Sequence, residues 1–78
     1  MAVSAYILIQ ADVGTAVDVA TAAGSLPAVV SADVAMGPYD VIARAEADTM
    51  DDLGKVVVEA VQSISGVERT LLCPVVKI

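Results

Sequence analysis

Two stretches of alternating sequence flank a short break at the centre of the chain. Val30–Met36 carries apolar side chains at 30, 32, 34 and 36 and polar ones at 31 and 33. Val41–Ala47 carries small apolar residues at 41, 43, 45 and 47, with charges at Arg44 and Glu46. Period-two alternation on both sides of Met36-Gly37-Pro38-Tyr39-Asp40 predicts a β-hairpin with those five residues at its tip. Gly37 can take a positive φ, while Pro38 fixes its own φ and has no N–H, so the turn geometry is tightly set. Nearer the N-terminus, Ala5-Tyr6-Ile7-Leu8-Ile9-Gln10 is a continuous apolar run. Such a run predicts a strand covered on both faces, hence central in its sheet.

Helical periodicity fills the gaps between these strands. Asp12-Val13-Gly14-Thr15 breaks the first strand and offers capping groups. Ala16, Val17, Ala20 and Ala23 then form a stripe of small residues, and Gly24-Ser25-Leu26-Pro27 ends it, with Gly24 suited to a left-handed terminal position. Thr49 and Asp52 have the spacing of a capping box, with Asp51 and Asp52 near the positive end of a second helix. Leu53, Val56, Val57, Ala60 and Ile64 trace its apolar face, and Asp51, Lys55, Glu59 and Gln62 its polar one, with Asp51/Lys55 and Lys55/Glu59 spaced for ion pairing. Val56-Val57-Val58 conflicts with this helix, because three β-branched residues in a row weakly prefer a strand. Ser65-Gly66 stops it, and Val67–Val75 forms a last strand that Pro74 places at a sheet edge. The order β-α-β-β-α-β predicts an α+β ferredoxin-like sandwich, with the first and third strands central and both helices on one face. Tyr6, Leu8 and Ile42 then share the other face, an apolar patch that calls for a partner.

Composition strengthens that need. The chain has 78 residues, 58% of them hydrophobic, and reads as one domain over residues 1–78. A domain this small buries only about 60% of its unfolded surface, so the apolar excess must be covered from outside. A membrane-spanning helix needs about 20 nearly uncharged residues, whereas Asp12, Asp18, Gly24, Pro27, Asp33, Gly37, Asp40 and Arg44 interrupt every stretch. Met1-Ala2-Val3-Ser4 lacks the basic region of a secretory signal. Self-association accounts for the excess better than a membrane does. The net charge is −6 and the four basic residues, Arg44, Lys55, Arg69 and Lys77, are scattered. Nucleic-acid affinity rests on clustered cations, so direct DNA or RNA binding is not expected. Cys73, the single cysteine, has no intramolecular partner. This fits a reducing cytoplasm, and its apolar surroundings make it a small buried hydrophobe rather than a reactive thiol.

Catalytic chemistry is sparse. With no histidine, the usual proton shuttle and commonest metal ligand are missing, and no serine has a base to activate it. Asp48, Asp51 and Asp52 read as helix-start residues rather than a metal site. Arg44 and Glu46, two apart on one strand face, read as either a ligand-binding pair or a surface ion pair of small net energy. No catalytic residue, cofactor or metal is assigned.

Met36-Gly37-Pro38-Tyr39-Asp40-Val41, then the capped helix with Leu53, then Ile64-Ser65-Gly66-Val67-Glu68-Arg69-Thr70 entering an apolar strand resemble the ligand-binding domain of Lrp/AsnC-type transcriptional regulators over about Val3 to Val76. The resemblance implies a stand-alone effector domain without a helix-turn-helix, dimerising through its sheets in an αβ-barrel-type packing, with dimers joined into octameric or decameric rings. It implies amino-acid effectors bound near the Gly-x-Tyr-Asp turn, with Gly37, Tyr39 and Asp40 beside the ligand, Met36 as a wall and Thr70 as a further contact. A full-length regulator of the family is an implied partner. At Asp40 two readings stay open, ligand contact and turn structure. The competing readings of the whole chain are a dimeric αβ-barrel enzyme of the monooxygenase or isomerase kind and a purely structural ring-former.

Overall fold

A computed structural model describes residues 2–78, with Val58 described through its backbone only. The elements are β1 (Val3–Ala11), α1 (Ala16–Gly24), β2 (Val29–Val34), β3 (Val41–Ala47), α2 (Met50–Lys55) and β4 (Val67–Pro74), with a π-helical segment, Val56–Val61, continuing α2. The four strands form one antiparallel sheet in the order β2-β3-β1-β4. The first and third strands are central and Pro74 lies on an edge strand, where its missing N–H breaks no ladder. The chain has the expected α+β ferredoxin-like βαββαβ topology.

The core lies between the helices and one sheet face. Ala5, Ile7 and Ile9 from β1 and Val41, Ala43 and Ala45 from β3 supply that face, and all are buried. Val19, Ala20 and Ala23 from α1 and Leu53, Val57 and Val61 from the second helical segment close over it. Alternate residues face away from the helices. Leu8 pairs with Ile42 on one side and Leu71 on the other, and Tyr6 with Arg44 and Cys73. Tyr6, Ile42 and Leu71 are 42%, 37% and 47% exposed, so the expected open apolar face is present in the protomer.

The structure departs from the sequence-based expectations in several places. The buried stripe of α1 is Val19, Ala20 and Ala23, with Ala16 half-buried beside it, while Val17 projects into solvent. Thr15 makes no side-chain cap; its hydroxyl donates backwards to the Asp12 carbonyl at 2.7 Å. Gly24 does not take the left-handed position, which belongs to Gly14, Gly37 and Gly66. Instead the last turn tightens, with the Ser25 and Leu26 N–H groups donating to Ala22 and Ala23 carbonyls at 3.2 and 3.1 Å. In β2 the register shifts between Val29 and Ser31, so Val29 is buried and Val30 is exposed. A bulge adds one residue to one strand, which breaks the simple alternation of 30, 32 and 34.

The second helix starts as expected, with the Asp52 N–H donating to Thr49 Oγ1 at 3.1 Å. It widens at the β-branched run. The Gln62 N–H reaches the Val57 carbonyl at 3.1 Å, five residues back, as in a π-turn. The wider turn sets the buried positions four apart, at Leu53, Val57 and Val61, and Val61 replaces Ala60 as the deeply buried residue. Among the described residues the single ion pair is Arg44–Glu46, so the expected pairs of Lys55 with Asp51 and Glu59 are not formed. Cys73 is half-buried on the open face rather than in the core.

Candidate functional site

The hairpin tip is closed at its base by the Ala35 N–H, which donates to the Asp40 carbonyl at 2.8 Å. Gly37 sits at φ +154° and a Cβ there would meet nothing within 4 Å, so glycine is required by backbone conformation and not by crowding. Met36 is fully exposed, Gly37 and Pro38 are exposed, and Tyr39 and Asp40 are half-buried. Among the described residues, the N–H groups of Met36, Gly37 and Tyr39 donate to no protein acceptor. The tip therefore carries three backbone donors without an acceptor in the protomer.

Three hydrogen bonds hold this loop to the end of β1. The Asp40 N–H donates to the Ile9 carbonyl at 2.9 Å. The Ala11 N–H donates to Asp40 Oδ2 at 2.8 Å, where the β1–β4 register shifts between Gln10 and Ala11 and the ladder leaves that donor without a strand partner. Gln10 Nε2 donates to the Pro38 carbonyl at 2.9 Å. Asp40 thus has a structural partner 29 residues away, and its turn role works across strands and not through its own backbone. Gln10 and Ala11 are parts of the site that sequence reading missed. Nothing in the periodicity marks them, because their role depends on the bulge and on which strand the tip folds against.

The structure brings Met36, Gly37, Tyr39 and Asp40 together by chain connectivity and leaves Thr70 apart. Thr70 pairs with Ile9 on the far side of β1, so two strand spacings, roughly 10 Å, separate it from β3. Its Oγ1 accepts from Gln62 Nε2 at 2.9 Å on the helix-covered face. Met36 lines no wall within the protomer. Elsewhere, Arg44 lies 5.7 Å above the Tyr6 ring and 3.9 Å from Glu46, a long contact at an exposed site worth little. Asp51, Gly54, Lys55 and Glu59 line a shallow open depression on the second helix; it shares no residue with the tip and its charges face solvent. Among the described residues no three His, Cys, Asp or Glu side chains gather as a metal site, and no helix is long and apolar enough to cross a membrane.

The family model for the Lrp/AsnC ligand-binding domain matches residues 4–78. The chain belongs to this family. Solved structures give the same fold. A Thermus thermophilus protein, TTHA0845, superposes with TM-score 0.91 at 28% identity, over 97% of this chain and 95% of that one. AsnC of Escherichia coli superposes with TM-score 0.88 at 21% identity, over 97% of this chain and 52% of AsnC. The regulator NMB0573 from Neisseria meningitidis, solved as a complex with L-Met, gives TM-score 0.83 at 22% identity, over 96% of this chain and 50% of that one. A search of curated proteins gave no match. The last two likenesses, at these identities, speak to the fold alone. The Lrp/AsnC domain here is an effector-binding module by family, with the Gly37–Asp40 turn as its candidate site.

Proposed function

We propose that this Lrp/AsnC domain is a non-enzymatic module that binds an amino acid at its hairpin tip and assembles with copies of itself through its open sheet face. The observation that carries the reading is the tip itself. It is a loop fixed by three bonds to β1 that still leaves the Met36, Gly37 and Tyr39 N–H groups free. Free backbone donors in a fixed loop suit a carboxylate, and the Asp40 carboxylate has a second oxygen to accept from an ammonium. Binding of L-Met by the neighbour NMB0573 supports the ligand class.

Two further roles follow from the same reading. The exposed Met36 faces a second dimer in a ring of octameric or decameric size, and a full-length Lrp/AsnC-type regulator is the candidate heterologous partner. Thr70 contributes only if the effector extends past β1. Four basic residues scattered along a chain of net charge −6 favour a small-molecule ligand over nucleic acid, and a cytoplasmic location goes with that role.

Thermal shift and calorimetry against the twenty amino acids test the reading. A ligand at 100 times its Kd adds about 2.7 kcal/mol to stability, a clear rise in Tm. No response to any amino acid at millimolar concentration would remove the sensing role. A monomer at tens of micromolar would remove the assembly role.

A further inference from the structure

We infer that Gln10, which lies outside the turn, is a positioning residue for the effector site. It orients the free Tyr39 N–H of the tip by holding the Pro38 carbonyl. The inference deepens the proposed function and rests on it for its binding arm, while its structural arm stands alone.

Pro38 offers no N–H of its own, so only its carbonyl can tie the tip to the sheet at that point. That carbonyl is met by Gln10 Nε2 at 2.9 Å, a side chain and not a ladder group. Pro38 lies between Gly37 and Tyr39, whose N–H groups are the donors offered to a ligand. Fixing the Pro38 carbonyl therefore fixes the peptide plane that carries the Tyr39 N–H, because the two groups share one planar unit. That plane turns about Pro38 ψ and Tyr39 φ, so with Pro38 φ fixed by its ring, the Gln10 bond restrains the rotation left to it. Asp40 anchors the return side of the loop through Ala11 and Ile9, so Gln10 is the matching anchor for the outward side. Gln10 stands opposite Arg69 on β4 in the strand register and lies in the same row as Tyr6 and Leu8 on the open face. It contributes nothing to the core, so its loss leaves the fold intact.

The chemistry of the contact gives a discriminating series. Gln10→Ala removes the donor, Gln10→Glu keeps the size but places an acceptor against an acceptor, and Gln10→Lys restores a donor. The ¹⁵N order parameter of the Tyr39 amide should fall from a rigid value near 0.85 to below about 0.6 in Gln10→Ala and Gln10→Glu, and recover in Gln10→Lys. Affinity for whichever of the twenty amino acids binds the wild type should fall about tenfold in the first two variants and recover in the third, with Tm unchanged within about two degrees throughout. A Tyr39 amide as ordered in Gln10→Ala as in the wild type, or equal behaviour of the Glu and Lys variants, would overturn the inference. A wild type that binds no amino acid sinks the effector reading and the binding arm, and the order parameters still decide whether Gln10 sets the tip.

Discussion

At the scale of single residues, the site rests on contacts that the sequence names only in part. Asp40 illustrates this. Its carboxylate accepts from Ala11 at 2.8 Å in a half-buried place, so Asp40→Ala leaves a backbone donor without its partner. Such a loss costs about 1–3 kcal/mol. Asp40→Asn retains an acceptor oxygen and should cost well under that, which urea unfolding of the two variants would separate. If the two variants are equally unstable, the bond to Ala11 is not what Asp40 contributes. Amino-acid binding should respond differently: loss of the charge alone in Asp40→Asn weakens capture of an ammonium while the turn persists. Gly66 gives a second residue-scale test. It has φ +96°, and an added Cβ would lie 2.8 Å from Thr15 Oγ1 and 3.2 Å from Val19 Cγ2. Gly66→Ala therefore combines a left-handed backbone cost of about 1–2 kcal/mol with overpacking of about 1–3 kcal/mol, whereas Gly37→Ala meets open space and bears only the first. Denaturation midpoints of the two variants should differ in that order. Sequence alone marks both glycines as turn residues and cannot rank them, because the ranking comes from α1 passing over Gly66.

At the scale of elements, the hairpin and both helices were legible from periodicity, and the strand order from the succession β-α-β-β-α-β. The boundaries and phases that failed share one cause: local insertions that shift a repeat. The register shift at Val29/Ser31 exchanges which valine of β2 is buried. The π-turn does the same for the second helix, where a regular 3.6-residue repeat selects Ala60 and the observed four-residue spacing selects Val61. The β-branched run was the visible sign of this conflict, since crowding against the preceding turn is what a wider helix relieves. The observed phase makes a prediction. Val61 is fully buried, so Val61→Ala should cost roughly 1–3 kcal/mol from two lost methyl groups and the space they leave. Ala60→Ser, on the half-buried side, should stay within about 0.5 kcal/mol. Equal losses at the two positions would mean that the segment is a regular α-helix in solution. The candidate site was legible as a turn but not as a clamp, because Gln10 and Ala11 act only where β1 ends beside the tip.

At the scale of the whole molecule, a sheet with helices on one side leaves Tyr6, Leu8, Ile42, Leu71 and Cys73 on the other. Ile42 lies at the centre of this face, paired with Leu8 and Asp33. Ile42→Glu adds a carboxylate beside Asp33 without touching the core, so the protomer should keep its circular dichroism spectrum. Burying that unpaired charge in a sheet-to-sheet dimer is costly, and sedimentation equilibrium should show Kd weakened by about a hundredfold or more, near 2.7 kcal/mol. Glu59→Ala, on the exposed outer side of the second helix, should leave association unchanged. Salt separates an apolar interface from a charged one. Each chain carries a net charge of −6, so like-charged protomers repel and screening that repulsion favours assembly. Raising salt from about 50 to about 500 mM, which shortens the screening length several-fold, should therefore leave wild-type association unchanged or tighter. Weakening under the same change would mean that charged contacts, such as those available to Arg44 and Glu46 on this same face, and not its apolar residues, hold the dimer together.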